Sequence, residues 1–168
     1  MTCWELRPVK GAPAPRVEIR EVGGARALRV SGEGAAAWLH RRMSPRIEER
    51  PGTLRWSWRV LRAPAGADLR MRERDDAPLR VFVVFGNPRS LFGGGGRIVF
   101  YTWGNGEPEG LTQASFVSGR IQIVRVAGTS DVGPGWQDEA VRPFDDYRRF
   151  WKREPPRLRR SASCRIPT

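Results

Sequence analysis

Lysine is almost missing from this chain. Lys10 and Lys152 are the only two, so 28 of its 30 basic residues are arginine. Histidine occurs once, as His40, and cysteine twice, as Cys3 and Cys164 near opposite ends. These scarcities exclude much chemistry. A zinc site needs three or four nitrogen or sulfur ligands, which one histidine and two distant cysteines do not assemble. A nucleophile activated by imidazole would have to use His40, and no Gly-x-Ser-x-Gly elbow is present. No metal and no cofactor is therefore expected, and His40 reads as a structural or surface residue. The cysteines lie outside any metal-ligand spacing and read as free thiols rather than a disulfide. No apolar run approaches the roughly 18 residues of a membrane span. Residues 1–10 hold no apolar core of a signal peptide, so the chain as written reads as cytoplasmic.

What is present points to a turn-rich β protein. The chain has 168 residues, 19 Gly, 14 Pro, seven Trp and seven Phe, a size and composition suited to one domain. The net charge of +12 invites a nucleic-acid partner. The arginines are spread along the chain instead of clustered, and an Arg-, Ala-, Gly- and Pro-rich composition short of Lys matches a coding bias. Nucleic acid is therefore the disfavoured partner.

The stretch Thr53–Phe85 organises the rest. In Leu54-Arg55-Trp56-Ser57-Trp58-Arg59-Val60, apolar and polar residues alternate strictly, which predicts a strand with one buried face. In Leu79-Arg80-Val81-Phe82-Val83-Val84-Phe85 both faces are largely apolar, which predicts a central strand. Trp56, Trp58, Val81, Val83 and Phe100 are expected in a core between two sheets. Residues 17–22 and 25–30 flank Gly23-Gly24 and predict a tight hairpin. Further strands are expected at 97–103, 115–117 and 120–126, with 136–142 extended. Phe144, Tyr147 and Trp151 at i, i+3, i+7 predict a short helix over 144–151. Residues 36–42 fit either a short strand or a helical turn. Pro8, Pro13 and Pro15 make 4–15 an irregular lead-in. Gly93–Gly96 lacks the Lys-Ser/Thr of a phosphate loop and reads as a hairpin tip.

The same pieces, in this order, resemble a bacterial family known as domain of unknown function 3047. The carrying residues are Leu54–Val60, then Asp75-Asp76-Ala77-Pro78 with Leu79–Phe85, then Tyr101-Thr102-Trp103-Gly104. Trp136-Gln137-Asp138-Glu139-Ala140-Val141-Arg142, Asp146-Tyr147-Arg148-Arg149 and Glu154-Pro155-Pro156 complete the set. The resemblance covers about residues 4–156. It implies a jelly-roll-like antiparallel β-sandwich, all-β with one short C-terminal helix, exported to the periplasm or secreted. It implies no activity and no catalytic residues. The family usually continues past Pro-Pro with an apolar strand and an Asp-x-Asp motif. Arg157-Leu158-Arg159-Arg160-Ser161-Ala162-Ser163 stands there instead. The expectation is one domain over residues 1–156, a disordered or aberrant tail over 157–168, and a chain shortened or frame-shifted at its ends.

Two functions from different classes compete. The first is a non-enzymatic module binding a glycan or another polar small molecule, since sugar rings stack on aromatic faces while Arg and Asp bond hydroxyls. Arg80 lies on a mostly apolar face, and an Arg there needs a partner. Asp76 is expected to pair with it, close to Tyr101 and to Trp103, which adjoins Gly104-Asn105-Gly106. Asp76, Arg80, Tyr101 and Trp103 are therefore the candidate ligand-binding residues. The second is an enzyme acting on acidic polysaccharide. A carboxylate pair drawn from Glu73, Asp75, Asp76, Asp138, Glu139, Asp145 and Asp146 would act as acid and base. Arg80 or Arg59 would hold the substrate carboxylate. Arginine-mediated polyanion binding is a third reading. Oligomeric state is not encoded in any of these features.

Overall fold

The computed structural model of the chain describes residues 5–40, 52–86 and 96–156. Cys3, Cys164, Gly93–Gly95 and the tail 157–168 lie outside the described residues. The chain forms two compact units, one containing residues 5–40 and the other residues 52–156.

In the first unit, β1 (Glu5–Pro8) pairs antiparallel with β4 (Ala37–His40), and β2 (Arg16–Val22) with β3 (Ala25–Ser31). Gly23 and Gly24 turn the hairpin with φ of 60° and 78°. Two successive positive φ values are what a tight hairpin turn requires and glycine supplies. The lead-in is less irregular than its prolines suggest, because Pro8 closes β1 at a strand end, where its missing N–H costs nothing. Residues 36–42, ambiguous by pattern, include β4. His40 Nε2 lies 3.3 Å from Glu5 Oε2 across that pair, a structural role for the only imidazole.

The second unit holds the remaining strands and the helix. A four-stranded sheet has the order β6 (Arg80–Phe85), β7 (Arg97–Trp103), β9 (Ile121–Ala127), β8 (Thr112–Ala114). A two-stranded sheet pairs β5 (Leu54–Trp58) with β10 (Gln137–Val141). Helix α1 (Pro143–Trp151) follows β10 directly. Pro143 fits the first helical turn, where its missing N–H is harmless, and Asp145 and Asp146 face the positive end of the helix dipole.

The architecture is an all-β sandwich with one short C-terminal helix. On one face of the large sheet Val83, Phe85, Val99, Tyr101 and Val124 are buried, with Leu54 and Trp56 of β5 and Phe144 and Tyr147 of α1 packed among them. Trp58 and Val60 continue this layer against Trp103 and Ala127. Phe100 is buried too, but on the opposite face with Ile98 and Ile123, beneath Leu69 of the long connection 59–79. The core thus lies on both sides of the four-stranded sheet, not only between the two sheets.

Among the described residues the pairing is antiparallel except between β7 and β9, which run parallel. β8 and β9 form a hairpin, and β9 is the strand that inserts against β7. Composition explains the choice. Ile121-Gln122-Ile123-Val124-Arg125-Val126-Ala127 is apolar enough to be central, whereas Thr112-Gln113-Ala114 suits a short edge. Residues 115–117, expected as a strand, turn instead. Ser115 Oγ accepts the Val117 N–H and Ser118 Oγ the Arg120 N–H, a local pairing that competes with a ladder.

Candidate functional site

The four residues singled out by sequence do not form one site. Arg80 pairs in register with Thr102, while Val81 pairs with Tyr101. Arg80 therefore sits on the opposite face from Tyr101 and Trp103. Both aromatics are core residues at 0% exposure. Tyr101 donates its hydroxyl to Asp146 Oδ2 at 2.7 Å, and Arg149 holds the other oxygen of Asp146 at 2.9 Å. Burial pushes the Tyr101 phenol up, and the Asp146 carboxylate pushes it further. Trp103 packs edge-on against Trp58, with ring centroids 5.4 Å apart. Neither ring offers a stacking surface.

Arg80 does have an acidic partner, and it is Asp75 rather than Asp76. Its Nη2 lies 2.6 Å from Asp75 Oδ1, and its guanidinium stands 5.6 Å above the Phe100 ring. Asp75 caps a one-turn 3-10 helix at Arg72–Arg74, and that turn aims Asp75 at the strand. Asp76 is spent locally. Its Oδ1 accepts the Ala77 N–H at 2.8 Å and its carbonyl accepts Asn105 Nδ2 at 3.3 Å.

The surface that does gather polar groups around an aromatic is the outward face of the β5–β10 sheet. Trp56 and Trp58 point inward, so Arg55, Ser57 and Arg59 point out. The register places Ser57 opposite Asp138 and Arg55 opposite Ala140. Ser57 Oγ donates to Asp138 Oδ1 at 2.5 Å. One residue before β10 the alternation continues with Trp136, which is 44% exposed. Arg59 lies over it, Cζ 5.0 Å from the ring centroid, while its Nη1 donates to the Pro134 carbonyl at 3.3 Å. A cation over the indole face fixes both groups. Ala140 keeps the Arg55 end of the face low. The result is a shallow platform: one exposed indole, two guanidinium groups, a hydroxyl and a carboxylate.

Beside this unit's strand ends lies an open groove of about 690 Å³, lined by Arg62 to Ala67, Asn105, Gly106 and Thr129. Behind it is Glu107, only 2% exposed. Its two oxygens accept the backbone N–H groups of Leu69 and of Asn105, the latter at 2.6 Å. That carboxylate ties the 59–79 connection to the turn after β7, a structural task. Pattern reading missed Glu107 because Gly104-Asn105-Gly106-Glu107-Pro108 looks like an ordinary turn.

Apart from Glu73, the candidate acid–base carboxylates have partners as well. Asp145 bonds Arg148 at 3.0 Å. Glu139 faces inward and accepts the Trp58 indole N–H at 3.2 Å. Burial pushes the Glu139 carboxyl up, Trp58 lowers it in part, and Asp131, Asp138 and Glu109 add repulsion. Glu73 lies exposed in the 3-10 turn. Among the described residues no group of three or more His, Cys, Asp or Glu is arranged to hold a metal ion, and no helix is long and apolar enough to cross a membrane.

Residues 2–162 match the family model described as Protein of unknown function (DUF3047), and the chain belongs to that family. No curated protein and no solved structure matches it.

Proposed function

We propose that this family member is a non-catalytic binding module for a glycan or another polar ligand, and that the outward face of the β5–β10 sheet receives it. The observation that carries this reading is Trp136, an exposed indole on a flat sheet face with Arg59 stacked on it and the Ser57–Asp138 pair beside it. Pyranose rings lay their C–H faces on indoles, and their hydroxyls need directional donors and acceptors. The platform supplies both without a deep pocket. Binding is favoured over hydrolysis because the outward face carries a single carboxylate, Asp138, where an acid–base mechanism needs two flanking the scissile bond. An envelope location in a bacterium accompanies the proposal and is checked by fractionating the native host.

The direct experiment is a thermal-shift screen of the intact chain and of Trp136→Ala against neutral and acidic oligosaccharides up to ~10 mM. A millimolar ligand at tenfold excess stabilises by about 1.4 kcal/mol, which is readable. The intact chain should shift with at least one sugar, and the variant should melt as the parent does but lose the shift. Absence of any shift for the parent sinks the proposal. Release of reducing ends during the incubation would replace it with the enzyme reading.

A further inference from the structure

The ligand class follows from the charges on that same face, and the inference rests on the binding reading above. Four arginines elsewhere in the second unit meet carboxylates closely. Arg70 meets Asp68 at 2.7 Å, Arg80 meets Asp75 at 2.6 Å, Arg148 meets Asp145 at 3.0 Å and Arg149 meets Asp146 at 2.9 Å. Others bond a hydroxyl or a carbonyl instead, Arg97 that of Tyr147 and Arg125 that of Asn105. Among the described residues Arg55 and Arg59 form no ion pair, and Arg142 reaches Asp145 only at 4.0 Å. The acids nearby do not compensate. Glu139 points inward at Trp58, and Asp131 Oδ2 accepts the Gly128 N–H at 2.8 Å. Asp138 is the one outward carboxylate on the two strands, and Ser57 already holds one of its oxygens. The platform therefore carries uncompensated positive charge on either side of a hydroxyl–carboxylate pair.

We infer that this face selects an acidic oligosaccharide, one whose sugar rings bear carboxylates. Arg55 and Arg59 are four residues apart on one strand, roughly 13 Å at the usual rise, a span that calls for an oligosaccharide rather than a single sugar. A guanidinium held over Trp136 keeps a planar fork in place, which matches a carboxylate in two-point contact. Asp138 separates this ligand from a phosphate chain. Its open oxygen accepts hydrogen bonds from sugar hydroxyls but repels a polyphosphate backbone that has none to give. Trp136 adds a ring surface that charge complementarity by itself does not need.

The test is calorimetric titration of the intact chain, Arg55→Gln, Arg59→Lys and Asp138→Asn with three probes. These are a uronic-acid tetrasaccharide, its fully methyl-esterified counterpart, and single-stranded DNA of equal charge. Both arginines are on the surface, so all variants should melt with the parent. The acid form should bind the parent about tenfold or more tighter than the ester. Arg55→Gln and Arg59→Lys should each erase most of that difference, the lysine because it cannot reproduce the fork. Asp138→Asn should weaken the sugar and strengthen the DNA. Equal binding of acid and ester overturns the acidic class and leaves the binding module standing. DNA binding as tight as the acid form overturns it in favour of charge without shape. No binding of either sugar removes this inference, and the wider neutral and acidic screen then decides whether the module reading falls too.

Discussion

Arg80 and Tyr101 occupy adjacent strands, one register step apart, yet they face opposite sides of the sheet, with Val81 rather than Arg80 across from Tyr101. A one-step offset reverses a side chain in a structure of period two. It makes Arg80 part of a half-buried pair with Asp75 and leaves Tyr101 in the core with Asp146. Arg80→Ala should therefore destabilise by about 1–3 kcal/mol, since it strands a carboxylate that is mostly shielded from water. Ligand titrations of the folded variant should match the parent. Denaturant unfolding measures the first and calorimetry the second.

Trp58 is 5% exposed and touches both Trp56 and Trp103 edge-on, with ring centroids 5.4 Å away in each case. Trp58→Ala removes that packing, leaves a cavity and frees Glu139 from its indole donor. A loss of ~3–5 kcal/mol is expected on urea unfolding.

Glu107→Ala should loosen the connection over residues 59–79 at the point where it is tied down. Two backbone donors lose a charged acceptor, which costs about 2–4 kcal/mol together. Limited proteolysis should then cut near Leu69 before the sheet unfolds. Glu107→Gln keeps one acceptor oxygen and should fall between the two. Unchanged cleavage in Glu107→Ala would contradict the tie.

Glu139 gives a pH prediction of definite sign. Its carboxyl is raised in the folded state, chiefly by burial. The folded chain thus holds this proton more tightly than the unfolded chain does. The associated stability is present below the ordinary value of 4.5 and is lost as pH rises through the elevated folded value. Glu139→Gln removes the charge and retains an acceptor for the Trp58 indole. It should melt above the parent at neutral pH, and the difference should shrink as pH falls below the ordinary carboxyl range. A gap that widens on acidification would contradict the assignment.

Much of the fold could be read from alternation. β5, β6 and β7 follow from period-two patterning in 54–60, 79–85 and 97–103, and the helix from its apolar stripe. The parallel β7–β9 contact could not be read this way, because alternation says which face is buried and not which neighbour a strand takes. The choice between Asp75 and Asp76 was equally hidden, since adjacent acids differ only through the 3-10 turn that aims them. Trp136 opens the segment read as extended, but nothing in its sequence context says which way its ring faces. Its exposure becomes apparent only when β10 is set against β5, which brings Arg59 over its ring from 77 positions away. Arg59 and Asp138 were visible as outward or acidic residues, but the long-range pairing that makes them one surface was not.

The most direct test of the binding face is the indole region of an amide-correlation NMR spectrum, which resolves one Nε1–H signal for each of the seven tryptophans. During titration with an oligosaccharide that stabilises the protein, the Trp136 indole and the Arg59 Nε–H should move together and saturate, while the indoles of Trp58 and Trp103 stay in place. Movement confined to Asn105, Gly106 and the residues lining the 62–67 groove, with Trp136 unmoved, would contradict the account and shift the site to that groove.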